Sequence, residues 1–497
     1  GVVSSSQASS ITSDGQIIVD GGVTSNGNTI LDGQSIEIHS NGVVQGDSST
    51  TVHSQEKVNN NGLINSGNTT TINAKSIDNN EGGRIYGDTV DIKANIVTNH
   101  TNSEIEERYH KAGKELEKAK NELDAEWNAD ISKYKTKPEL DAHRQRINDL
   151  TKAYDDVQAK VTALKAELDA HKSGVIAGRN HVNITSDTID NTGKGLIYSG
   201  GTMDLIAKDG IHNKGATIKA TKSIKLDTPT VENNNVALGT KRVSDSITKN
   251  PDKLKVNDLN HKLEGQVFDK SEFPYADDTS GYGTPHVKPV KTAEDEAYNK
   301  EMDKDENRVH KFTIIRTETE NTHKVVTIDD PGLISSGGDI VTTGILRNDN
   351  SKVLSGGVIQ TQGAIQNISD AISDKTFVTG TTQESYTKSV HKSHHIGRKR
   401  RHGYRSKRIR VWGPEVFMTP SITEENVKPI GTLKEHAEDK VSKATIAKVN
   451  DSLDPYGLGG GKGKASQTID GLSLPTEALY QIHPAITANA LIETDPA

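Results

Sequence analysis

The sequence predicts a mainly β chain. It reads as a right-handed parallel β-helix (solenoid) with an inserted antiparallel α-helical coiled-coil hairpin and an irregular β module towards the C-terminus. Three observations predict this. Short β-branched stretches recur and close alike: KSIDN at 75–79, NIVTN at 95–99, DTIDN at 187–191, DGIHN at 209–213 and PTVEN at 229–233. Apolar content is only 31% and aromatic content 4%, too little for a thick globular core but enough for a narrow one. Between residues 100 and 173 the apolar period changes from two to three-and-four, and afterwards it changes back.

Each repeat takes an apolar step, passes a small-Gly turn, runs apolar–x–apolar and closes on Asn. INSGNTTTINA (64–74), IYGDTVDIKA (85–94), VIAGRNHVNIT (175–185) and LIYSGGTMDLIA (196–207) share this course. One unit cannot bury its few apolar residues alone, whereas stacked units can. Stacking places Ile72, Ile92, Ile184 and Leu205 one above another at an inter-strand spacing of about 4.8 Å. The closing Asn79, Asn99, Asn191, Asn213 and Asn233 are expected to form a structural amide ladder that satisfies backbone groups inside a turn. Asn348 and Asn367 join it from a later pair of coils, LISSGGDIVTTGILRN (333–348) and VLSGGVIQTQGAIQN (353–367). Residues 1–60 keep the same alternation and read as about three further coils.

The insertion at 100–173 carries two heptad seams. Ile105, Tyr109, Ala112, Leu116, Ala119 and Leu123 form one; Ile147, Leu150, Tyr154, Val157, Val161, Leu164 and Leu168 form the other. Pro138, in KTKPEL, suits the first turn of the second helix. Glu104–Arg108, Glu107–Lys111 and Asp156–Lys160 have the spacing of i,i+4 ion pairs. Both ends of the insertion meet at one turn, which an antiparallel hairpin satisfies. With its seam used up by self-pairing, it is expected to stand roughly 50 Å off the shaft.

The order is then β-helix repeats at 1–99, the hairpin at 100–173, repeats at 174–233 and a linker or irregular module at 234–330 ending in a strand pair. Two more coils follow at 331–370, a candidate recognition region at 371–470 and a further segment at 471–497. Within 371–470 lies HKSHHIGRKRRHGYRSKRIRVW (391–412). Nine of the twenty residues from 391 to 410 are Lys or Arg, in a chain of net charge -8. The binding candidates are Arg398, Lys399, Arg400, Arg401, Tyr404, Arg405, Lys407, Arg408, Arg410 and Trp412. A solvated charged segment, an anionic surface ligand held by Arg forks, and nucleic acid are the competing readings. The overall negative charge and the scarcity of interleaved aromatics weigh against nucleic acid. His391, His394 and His395 offer metal-ligating nitrogens, but their cationic neighbours disfavour a cation, and no metal or other cofactor is expected.

Other classes are excluded in turn. There is no Cys, so neither disulfides nor thiolate sites are available. No apolar run approaches the roughly 18 residues of a membrane span. Residue 1 is Gly and no signal peptide is visible, so an internal fragment of a longer chain is expected. GLGGGKGKAS (457–466) lacks the first Gly and the closing Ser or Thr of a phosphate loop and reads as linker. A polysaccharide-cleaving enzyme would need carboxylates clustered on successive coils; none are evident, and no enzyme activity is expected.

The repeats resemble those of filamentous-haemagglutinin-type exoproteins of two-partner secretion. LPTEALYQIHPAITANALIETDPA (474–497) resembles a segment of the toxin-delivery exoproteins of contact-dependent growth inhibition. The resemblance implies a monomeric surface filament, exported through an outer-membrane pore partner. It would present a receptor-binding region to a protein or glycan on a neighbouring bacterium, with the toxin part absent here. It implies a secreted or outer-surface location on a Gram-negative cell. A host-directed haemagglutinin-type adhesin gripping acidic glycans is the alternative.

Overall fold

The computed structural model describes residues 1–279, 281–396 and 401–435, with four two-residue strand pieces farther on. Strand makes up 52% of the chain and helix 19%, so the fold is mainly β. Two sheets carry it: a parallel one of 27 strands and an antiparallel one of 7.

The parallel sheet is built from three ladders that the chain visits in turn. Val2–Ser5 pairs with Gly22–Ser25, Ser9–Thr12 with Asn28–Gly33, and Gln16–Val19 with Ser35–Ile38. The same rotation continues up the chain, and identical register brings like residues together. In the first ladder Ile64, Ile85, Ile176, Ile197, Ile218, Ile334, Val353 and Leu433 follow one another as direct partners. In the second, Ile72, Ile92, Ile184 and Leu205 do so. The inner side chains form one continuous apolar cluster. Because each strand contributes only one or two such residues, a low apolar content suffices.

At the end of the third ladder the Asn residues, buried except for the exposed Asn367, are joined head to tail. Asn60 Nδ2 donates to Asn79 Oδ1 at 2.7 Å, Asn79 to Asn99 at 2.7 Å, Asn99 to Asn191 at 2.8 Å and Asn191 to Asn213 at 2.8 Å. Asn213, Asn233, Asn348 and Asn367 continue the series. The same amides also donate to backbone carbonyls of the next turn, as Asn99 does to Leu196 at 3.2 Å and Asn233 to Lys352 at 3.0 Å. The adjacent glycines are a consequence of this. A Cβ at Gly174 would sit 2.6 Å from Asn99 Oδ1, and one at Gly195 2.6 Å from Asn191 Oδ1.

Two insertions leave the parallel sheet without breaking its register. The first is a helical hairpin of α1 (Ser103–Trp127) and α2 (Lys137–Ala170). Asn102 caps α1 by accepting from Ile105 N, and Glu139 reaches back to Thr136 N at the start of α2. The heptad residues form the seam. Arg108 and Lys160, expected to pair along their own helices, reach across to the other helix. Arg108 holds Glu167 through two bonds of 2.9 and 3.1 Å, and Lys160 holds Glu115 at 2.7 Å.

The second insertion corrects three expectations. Residues 234–330 are not a linker but supply strands Gly239–Lys249 and Lys253–Val256, followed by a single 18-residue strand, Lys311–Ile328, in place of a strand pair. Residues 371–429 do not form a separate region: Ala371–Ile396, Arg401–Phe417 and Ser421–Pro429 join the same antiparallel sheet. The chain then returns, and Thr432–Glu435 pairs in parallel with Lys352–Ser355. These strands are rich in Thr, Val and Ile but polar on one face, so single segments gave no clear period.

The hairpin, expected to stand free, lies against this sheet. Lys324 pairs with Asp124 at 2.6 Å, Lys241 with Asp155 at 2.7 Å and Arg144 with Glu320 at 3.2 Å. Tyr154 and Thr327 share a hydroxyl hydrogen bond of 2.6 Å, and the rings of Trp127 and Phe377 are 5.6 Å apart. Alternate residues Ser373, Lys375, Phe377 and Thr379 are buried beneath it. Its base is clamped as well. Buried Glu106 accepts from Thr101 N and from the Thr192 hydroxyl, both at 2.7 Å, while His100 meets Asp78 at 2.7 Å.

Ile92→Ala is expected to lower unfolding free energy by about 2–5 kcal/mol through the cavity it opens between layers. Asn99→Ala should cost about 1–3 kcal/mol, because its partners stay buried and unpaired. Denaturant melts would measure both, and a neutral Asn99→Ala would exclude a stabilising ladder.

A pH effect follows from the hairpin base. Burial disfavours the His100 cation, but Asp78 and Glu106 outweigh it and raise its pKa above the ordinary 6.5. Burial likewise opposes ionisation of Asp78, yet His100 and Lys57 hold its pKa below the ordinary 3.8. The pair therefore stabilises the base most between those two ordinary values and loses this contribution as pH rises through the raised pKa of His100. Hydrogen exchange in the first turn of α1 should accelerate from about pH 5.5 to 8.5 beyond its intrinsic pH dependence, and His100→Gln should remove that excess.

Candidate functional site: a basic ribbon

The antiparallel sheet ends in a two-stranded ribbon. Strand Lys311–Ile328 runs out where Lys311 pairs with Tyr386. Beyond it, Ala371–Ile396 and Arg401–Phe417 are each other's only strand partners among the described residues, from Thr387 opposite Arg410 to Ile396 opposite Arg401. Ten residues at about 3.3 Å each extend the ribbon roughly 30 Å past its neighbour.

The ribbon is strongly cationic. Between Ser385 and Pro414 the sequence holds ten Lys or Arg and no Asp or Glu. Register places Lys392 opposite Arg405, Val390 opposite Lys407 and Ser389 opposite Arg408. Six of the ten cross-strand pairs along the ribbon therefore include a Lys or Arg.

The sequence-predicted residues divide by position. Arg398, Lys399 and Arg400 lie outside the described residues. Arg401, Tyr404 and Arg405 stand on the returning strand, opposite Ile396, Ser393 and Lys392. Lys407 and Arg408 are exposed. Arg410 and Trp412 belong to the foundation of the ribbon. Arg410 is buried and donates to Ser385 Oγ at 3.0 Å, Tyr282 O at 3.0 Å and Thr284 Oγ1 at 3.1 Å. Its guanidinium lies 4.7 Å from the centre of the Phe312 ring, and Trp412 meets that ring edge-on at 6.1 Å. Burial pushes the Arg410 pKa down, with Asp278 and Asp258 acting against it. Arg410 is thus withdrawn from the surface, and Trp412 is half-buried.

Sequence reading missed what anchors the ribbon. Leu254, Val256, Phe273, Met302 and Val309 build a small apolar core under Phe312 and Ile314. Thr387 N donates to His310 O at 3.1 Å, and Arg408 lies 3.4 Å from His310 Nε2. Burial and the Arg408 charge lower the His310 pKa, which keeps the ring neutral beside that cation. Gly281 approaches the Arg408 carbonyl so closely that any Cβ would overlap it. The signal available was the cluster of Phe and Tyr between 268 and 312, in a chain otherwise poor in aromatics.

Compared with protein-family models, curated proteins and solved structures, the chain matches none. Function therefore rests on geometry and on the sequence resemblance.

Arg410→Ala should loosen the ribbon's foundation at about 1–3 kcal/mol, since Ser385, Thr284 and the Tyr282 carbonyl lose a buried donor. Lys407→Ala should cost little. Near-ultraviolet circular dichroism of Trp412 would separate the two, and equal spectra would sink the structural role of Arg410.

Proposed function

We propose that this chain is part of a secreted surface filament that presents the basic ribbon to a receptor on a neighbouring bacterium, in the manner of contact-dependent growth-inhibition exoproteins. The observation that carries the proposal is a ribbon whose described residues hold seven cations, one of them the buried Arg410, and no acid, at the end of a braced sheet. The shaft in this reading is a right-handed parallel β-helix. Its cyclic visits to three parallel ladders support the coil, and the strong preference of parallel crossovers for one hand supports right-handedness.

The hairpin has a role in this reading. A two-layer sheet-and-helix arm holds the ribbon in one direction, so less freedom is lost when the receptor is engaged. The receptor offers anionic groups, because Arg and Lys without an apolar anchor recognise phosphate and carboxylate. Export through an outer-membrane pore partner, a location on the outer surface of a Gram-negative cell and a monomeric filament come from the resemblance in the repeats and at 474–497. The proposed role is attachment and delivery, without catalysis.

Replacing Lys392, Arg405, Lys407 and Arg408 by Ser should reduce attachment to target bacteria at least tenfold while leaving the β-sheet circular dichroism signal unchanged. Residual attachment should weaken with salt, as the Debye length falls towards roughly 3 Å at 1 M. Wild-type attachment by this variant would exclude the ribbon as the recognition surface.

A further inference from the structure

The hairpin and the small apolar core cover the same face of the antiparallel sheet but do not meet. Two cavities lie between the hairpin and the strands of the sheet, of about 450 and 340 Å³. Both are bounded by Leu140, Arg144 and Thr379, so they form one cleft with two ends. Its size falls within the roughly 300–1,000 Å³ of small-molecule sites, and such sites favour junctions between packing units.

The ends differ chemically. Trp127, Ile131, Ile147, Val243, Ile247 and Phe377 line the larger one. Ile247 is 56% exposed at its mouth, an apolar side chain with no cover. Charges on this rim are already engaged: Arg144 by Glu320, Lys241 by Asp155, and Arg242 by Ser373 and Thr322. The smaller end is polar. Arg316 there is held by Glu415 at 2.8 Å and faces Asp252 at 3.6 Å. That leaves two lysines, Lys137 and Lys249, with two carboxylates, Asp141 and Glu318. Lys249 and Glu318 are direct cross-strand partners. The polar end thus carries no surplus of either sign.

We infer that this cleft binds an amphipathic small molecule with an unbranched apolar chain and an uncharged, hydroxyl-rich head. The apolar end takes the chain and shields Ile247. The balanced end hydrogen-bonds the head and gives no advantage to an anion or a cation. The site is separate from the ribbon, and its occupation would fix the hairpin against the sheet.

The test uses the full chain carrying Trp412→Phe, which leaves Trp127 as the single indole. Octyl glucoside is titrated below its micelle-forming concentration, with hexyl glucoside, octyl sulfate and octyltrimethylammonium as comparisons. Trp127 fluorescence should change saturably with octyl glucoside. Hexyl glucoside should bind roughly 15-fold more weakly, at about fourfold per methylene lost. Both charged octyl compounds should bind more weakly than octyl glucoside. Ile247→Lys, at an exposed position, should weaken octyl glucoside at least tenfold with an unchanged circular dichroism spectrum. A linear, unsaturable response would overturn the inference. So would equal binding of the charged compounds, or unaltered affinity in Ile247→Lys.

Discussion

The chain of buried amide hydrogen bonds between stacked Asn side chains is the constraint on which the rest of this structure depends. Each Asn closes a turn, and one amide serves both the next Asn and a backbone carbonyl of the next turn. A bond of this kind fixes position along three directions, which apolar stacking alone does not. The inner Ile and Val columns supply the driving force, since burial is non-directional. The Asn series supplies register, so a slip by one residue would leave a run of buried amides unpaired.

That separation of roles explains how so much chain can be inserted. Asn99 bonds to Asn191 across 92 residues, and Asn233 bonds to Asn348 across 115. Neither bond differs in length from those inside the uninterrupted repeats. The two excursions leave from the same side and meet in space. The hairpin's own seam is satisfied internally, so its flanks are free to hold a second structure by charge and by a few large side chains. Lys324, Lys241 and Arg144 pair with acids or receive them from the helices at positions where a partly buried ion pair gives direction rather than much stability.

The ribbon shows the same division at smaller scale. A two-stranded ribbon without a third strand is marginal in water. Here its base is held by Arg410, which spends its guanidinium on Ser385, Tyr282 and Thr284 and its flat face on Phe312. Ten cations cannot be packed together without either acids or water. The distal ones have no acid within the local sequence.

What the sequence by itself determined is everything that repeats. The closing Asn, the Gly stacked against it and the Ile, Val or Leu two residues before it recur because each layer meets the same neighbours, so a local pattern carries the long-range contact. The hairpin was legible for the same reason: a heptad seam encodes its partner within itself. Asn60 was readable too, in KVNN, and was overlooked only because the unit before it is looser. The antiparallel sheet was not legible. Its strands come from 239–256, 311–328 and 371–429, each paired with a distant segment and patterned by faces that differ along one strand. Nor could sequence divide the basic segment into Arg408, which faces water, and Arg410, which is buried. Two residues apart on one strand they point the same way, and only the small core beneath Phe312 decides which of them it covers.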